Sequence, residues 1–160
     1  MQNLLLLVFS LFLVACAAPE KKEISEQEYY ESAQEAQKHN NYYLAVERLQ
    51  DMESRYPFGR YAEQAQLELV YAQYQSGDME GTKATAERFI RLHPQHNNAD
   101  YAYYMRGLSN YTEGQGLLER FFPTDMSQRD PGAAVQAFED FRQLLQRFPD
   151  SQYAADARAR

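Results

Sequence analysis

Apolar and small residues recur along this chain at helical spacing. Ala45 and Leu49, Thr82 and Ala86, and Ala137 and Phe141 each stand four residues apart, so each pair shares one helix face. The first member of each pair lies twelve residues ahead of a proline: Pro57, Pro94 and Pro149. An arginine precedes each proline by two or three positions, at Arg55, Arg91 and Arg147. Beyond each proline a second signature opens the next helix, as Tyr61-Ala62-x-x-Ala65, Tyr101-Ala102-x-x-Met105 and Tyr153-Ala154-x-x-Ala157. In the helix expected from Asp100 to Tyr111, the residues Tyr101, Tyr104, Leu108 and Tyr111 fall on one side.

The breaks between helices follow from local chemistry. Ser25-Glu26-Gln27-Glu28 has the form of a capping box, and the helix it opens runs to about Lys38. His39-Asn40-Asn41 makes a turn before a helix over Tyr42 to Arg55, and Tyr56-Pro57-Phe58-Gly59-Arg60 links to the next pair. A helix over Arg60 to Gln75 ends at Ser76-Gly77-Asp78, where Gly accepts a left-handed backbone and Asp caps the helix from Met79 to Leu92. Pro94 prevents its continuation. Aligning the tyrosine signatures makes the link through His96-Asn97-Asn98 three residues longer than the first.

The period then changes. Pro57 and Pro94 are 37 residues apart, but Pro94 and Pro149 are 55 apart. The excess falls between Thr112 and Arg129, in the expected turn of the third pair. Gly114, Gly116 and Pro123 suggest a loop there, whereas Leu117-Leu118 and Phe121-Phe122 are too apolar for a solvated linker, so a functional loop or one packed back on the domain is expected. Asp130-Pro131 is a good start for a helix reaching Arg147. Ser151 to Arg160 reads as one further first helix without its mate, and the expectation is that the chain is incomplete or that another molecule covers this end.

Helix pairs with a period of about 34 residues, a small residue early in the second helix and a proline after it resemble the tetratricopeptide repeat. Val70, where that family has a small residue, and Ala86, where it has an aromatic, depart from the pattern. The resemblance implies an all-α solenoid of helix hairpins, with repeats at about 25–57, 60–94 and 98–149, a loop at 112–129, and a partial fourth at 151–160. In that family the first helices line the concave side, which places Tyr30, Tyr71, Tyr74, Tyr104 and Tyr111 toward a groove that could hold an extended peptide. Arg106 is a candidate for pairing with a terminal carboxylate, and equally for a structural salt bridge.

Composition adds the compartment. Leu4 to Phe12 is almost wholly apolar but too short to span a bilayer, which takes about 20 residues. It reads as a secretory signal over residues 1–15, ending in Leu13-Val14-Ala15-Cys16. That ending resembles a bacterial lipobox, which implies acylation of Cys16, and no Lys or Arg precedes the apolar run. Cys16 is the one cysteine, so an intrachain disulfide is excluded. Acyl chains, at about 0.8 kcal/mol per buried CH2, would hold the chain to a bilayer through a tether at 16–24. Ala17 after the Cys, in place of Asp, favours the outer membrane by the same resemblance.

These features together are similar to the BamD (ComL) family, the lipoproteins of the outer-membrane β-barrel assembly machinery. The carrying residues are the lipobox Cys16, the short tether, Tyr56-Pro57-Phe58-Gly59, Tyr104-Met105-Arg106-Gly107-Leu108 and Arg129-Asp130-Pro131. The resemblance implies a periplasmic scaffold on the outer membrane that receives unfolded barrel proteins or their targeting peptides and docks BamA and other Bam subunits. Family members have about five repeats, so the last two, which largely carry the BamA contact, would be absent here. The alternative is a tetratricopeptide lipoprotein linking the envelope to peptidoglycan or division proteins.

The remaining chemistry argues against other classes. A net charge of −7 with no basic stripe speaks against nucleic acid or an anionic surface as the main partner. His39, His93 and His96 sit in expected turns without a convincing ligand set for a metal. The carboxylates are spread over helix exteriors, and Gly114-x-Gly116 is too short for a phosphate loop, so no enzyme and no cofactor are expected.

Overall fold

The computed structural model describes residues 23–115 and 132–160. The signal, Cys16, the tether up to Lys22, the start at Asp130-Pro131 and most of the inserted segment lie outside the described residues. The described chain forms α1 (Glu26–Lys38), α2 (Tyr42–Arg55), α3 (Ala62–Ser76), α4 (Met79–Leu92), α5 (Ala99–Gln115), α6 (Gly132–Arg147) and α7 (Ala154–Ala159), and no strand occurs among these residues. Each helix packs on the next in sequence, so the fold is an all-α stack of hairpins.

The ends form as their sequences dictate. Ser25 Oγ accepts from the Glu28 amide at 3.2 Å while the Glu28 carboxylate takes the Ser25 N–H at 2.8 Å, closing the capping box. The two turns within hairpins use one geometry. Asn40 (φ 56°) and Gly77 (φ 85°) both adopt the left-handed conformation, and the residue after each, Asn41 or Asp78, caps the next helix. Asn and Gly are the residues for which that conformation costs least.

Three links join successive hairpins, 56–61, 93–98 and 148–153, each of six residues. Their backbone hydrogen bonds are the same: Gly59 N–H to the Tyr56 carbonyl and Ala62 to Gly59, His96 to His93 and Ala99 to His96, Ser151 to Phe148 and Ala154 to Ser151. This corrects the expected longer second link. Asn98, rather than Tyr101, stands where Tyr61 and Tyr153 stand, and Tyr101 lies one turn further into α5. A second difference concerns the inserted loop. α5 runs on through Thr112 to Gln115, past the position where α3 turns at Gly77.

The core is built from the repeated small-and-large pairs. Ala45, Thr82 and Ala137 are buried, as are Leu49, Ala86 and Phe141 one turn later. Facing them on the first helices are Ala33, Val70 and Gly107, and the sizes compensate. Ala33 shares a core cluster with Leu49, and Val70 with Ala86. A Cβ on Gly107 would come within 2.8 Å of the Phe141 ring. The two departures from the family pattern, Val70 and Ala86, therefore answer each other within one hairpin, the larger residue facing the smaller.

The stack has a sidedness. The first helices α3 and α5 pack against each other, while among the described residues no two second helices do so to a comparable extent. The helices α1, α3, α5 and α7 are the first of their hairpins, the side that the sequence reading expects to line a groove.

Candidate functional site

Tyrosines join first helices to the links of the hairpins that follow. Between α1 and the link before α3, Tyr30 stacks on Tyr61 with ring centroids 4.6 Å apart and planes 11° from parallel. Between α5 and the link before α7, Tyr104 stacks on Tyr153 at 4.7 Å and 16°. Each first tyrosine also donates its hydroxyl to a carboxylate of the next repeat, Tyr30 to Glu68 Oε1 and Tyr104 to Asp156 Oδ2, both at 2.6 Å. Burial and donation to Asp156 push the Tyr104 phenol up to about 12, and burial with Glu68 raises that of Tyr30. Both therefore remain protonated donors at neutral pH.

The middle interface lacks this pair. Leu67 occupies the position of Tyr30 and Tyr104, and Asn98 that of Tyr61 and Tyr153. Where the two rings would sit, a recess of about 360 Å³ opens between α3 and α5. Besides Leu67 and Asn98, it is lined by Gln64, Glu68, Tyr71, Tyr101, Gln152 and Tyr153. Burial raises the Tyr101 phenol, and Tyr153, Tyr71 and Glu68 add to that rise. Glu68 Oε1 also accepts from Gln64 at 3.3 Å, and Oε2 from Gln37 at 3.1 Å.

The residues singled out from sequence divide into three groups. Tyr30 and Tyr104 lie in the inter-repeat stacks just described. Tyr74 meets Thr112 Oγ1 at 3.2 Å across α3 and α5, and Tyr111 lies under the Arg160 guanidinium at 5.0 Å, so both are also joints. Tyr71 alone of the five opens onto the recess, 37% exposed and edge-on to Tyr42 at 6.0 Å. Arg106 is placed elsewhere. Its guanidinium pairs with the buried Asp140 at 2.9 Å, with Glu87, and with Gln143 Oε1 at 3.2 Å, joining α5 to α4 and α6. With two carboxylates already bound and only 13% of its side chain exposed, it serves as a structural ion pair. Cys16 lies outside the described residues.

Sequence reasoning passed over Tyr101, Tyr153, Asn98 and Glu68. Tyr101 and Tyr153 entered as helix starts, Tyr101 also on one face of its helix, and Asn98 as part of a link, but none as lining a site. It also passed over Glu63, whose carboxylate meets His93 Nδ1 at 3.3 Å and His96 Nε2 at 3.6 Å, tying the second link to α3. Among the described residues no group of three or more His, Cys, Asp or Glu could hold a metal ion, and no helix is long and apolar enough to cross a membrane.

Comparison with known proteins agrees with this architecture. A tetratricopeptide-repeat family model matches residues 18–160. The outer membrane protein assembly factor BamD of Vibrio cholerae is 40% identical, over 97% of this chain and 65% of the relative. The BamD of Neisseria gonorrhoeae is 43% identical, over 100% of this chain and 63% of the relative. That of Xylella fastidiosa is 37% identical, over 96% and 54%. The chain thus spans less than two thirds of the length of these relatives. By the match over nearly its whole length, the chain belongs to the tetratricopeptide-repeat family, as a BamD-like member of it.

Proposed function

We propose that this chain is a scaffold of outer-membrane protein assembly that holds unfolded β-barrel proteins, or their targeting peptides, along the inner wall of its repeats. The observation that carries the reading is the break in the tyrosine series: two interfaces are closed by stacked rings, and the one between them is open and ring-lined. An extended segment crossing α1, α3, α5 and α7 would meet rigid aromatic faces at low entropic cost and hydroxyl groups for its backbone. The relatives named as outer membrane protein assembly factors support the same setting. Acylation of Cys16 would place the wall on the periplasmic side of the outer membrane, where BamA and other Bam subunits would be the assembly partners. No catalytic step is part of this reading.

The test is titration of the full chain, in detergent micelles, with a fluorescent peptide copied from the C-terminal strand of a β-barrel protein. Saturable binding, lost on Tyr71→Ala, is the expected result. Absence of any saturable signal overturns the proposal. Mass spectrometry of the processed product should find acyl chains on Cys16, and an unmodified thiol there would remove the anchor.

A further inference from the structure

We infer that the recess between α3 and α5 receives a cationic side chain, Arg or Lys, from the bound segment. This rests on the peptide-binding reading and names the side chain the wall selects. Tyr71, Tyr101 and Tyr153 line the recess together with Glu68. Tyrosine faces attract cations through the ring quadrupole, more strongly where water is displaced. Glu68 supplies the matching charge.

The state of Glu68 makes the argument specific. It is half-buried, and its hydrogen bonds come from Tyr30, Gln37 and Gln64, all neutral donors. Among the described residues no Lys, Arg or His pairs with it. Of the other carboxylates at helix joints, Asp140 is neutralised by Arg106, Asp156 by Arg160 and Glu53 by Arg88, while Glu26 and Asp100 take neutral donors, the Tyr61 amide and the Ser151 hydroxyl, neither of them lining the recess. Glu68 is thus a half-buried carboxylate held in place by neutral groups, in a residue bordering a cavity with no positive residue in its lining. The neighbouring hydrogen bonds already fix its geometry, so an incoming guanidinium or ammonium gains charge pairing without reordering the wall. A peptide carboxylate entering the same space would meet Glu68 with nothing to offset it.

The experiment compares labelled extended peptides that differ at one central position, titrated into the full chain in detergent micelles. Arg and Lys peptides should bind about tenfold more tightly than the citrulline peptide, which keeps the shape of Arg without its charge. Glu68→Gln should erase that difference, and added salt should narrow it. Equal affinity of the Arg and citrulline peptides for the unaltered chain overturns the inference while leaving peptide binding intact. No saturable binding by any peptide overturns both. The Arg-to-citrulline comparison is made on the unaltered chain, so it holds whether or not the Glu68→Gln variant folds.

Discussion

A few side chains set what each position tolerates. Asp140 is fully buried, and burial raises its carboxyl above the ordinary range, opposed mainly by Arg106, with Asn110 and Gln136 also bonding to it. A folded-state value above the unfolded one means that the folded chain holds the proton more tightly, so this group's contribution to stability declines as pH rises from about 3.9 through the raised value. Arg106→Met removes the main opposing charge and lifts the carboxyl further. We expect a loss of about 3–5 kcal/mol at pH 7, smaller at pH 3, below even the ordinary carboxyl value, where Asp140 carries its proton with or without Arg106. Urea denaturation at the two pH values checks this, and an equal loss at both would contradict it. Gly107 is a second such position. Its missing Cβ leaves room for the Phe141 ring, so Gly107→Ala should cost about 1–3 kcal/mol. Adding Phe141→Leu should relieve the clash, measured as a partial return of the thermal midpoint.

Helix formation and hairpin order were legible in the sequence because capping, turn and proline signals are local. Ser25, Asn41 and Asp78 cap as their chemistry requires. Asp78→Ala should cost about 1 kcal/mol by chemical denaturation, through loss of its bond to the Gly81 amide at 2.9 Å. Register across helices was less legible. The Tyr-Ala pairs at 61, 101 and 153 look equivalent as letters, yet link hydrogen bonding puts Asn98 in the row with Tyr61 and Tyr153. Sequence spacing cannot show a compensation between Val70 and Ala86, because they face each other only after the hairpin closes. Copying the first hairpin into the second tests that compensation. Val70→Ala alone should leave a cavity, and Ala86→Leu alone should overpack. The pair should restore most of the stability, with a coupling of about 0.5–3 kcal/mol in a double-mutant cycle; simple additivity would refute the pairing.

In the molecule as a whole, the first and third repeats are alike and the second is the exception. Tyr29 lies beneath Arg55 and Tyr103 beneath Arg147, whereas the second repeat has Gln66 and the exposed Leu92 in those places. Gln66 bonds instead to Glu53, which Arg88 holds at 2.8 Å. The same repeat loses both members of the ring stack and gains the recess. The candidate groove residues read from sequence are mostly consumed by packing, since a tyrosine that closes an interface and one that leaves it open have the same local pattern. Asn98→Tyr supplies one absent ring. It should lower peptide affinity about tenfold while leaving the thermal midpoint unchanged or raised; unaltered affinity would show that peptides bind elsewhere.

The entry of the chain into the fold is fastened at two points to the first link. Tyr56 donates its hydroxyl to the Ile24 carbonyl at 2.9 Å, and the Glu26 carboxylate takes the Tyr61 amide at 2.7 Å with Gly59 packed close against it. A pull arriving along the backbone from before Ile24 would thus reach these fastenings before α1 began to peel away. The strain would pass into the seam between the first two hairpins, so a leash at this end would tug on that seam rather than fray the array's leading edge.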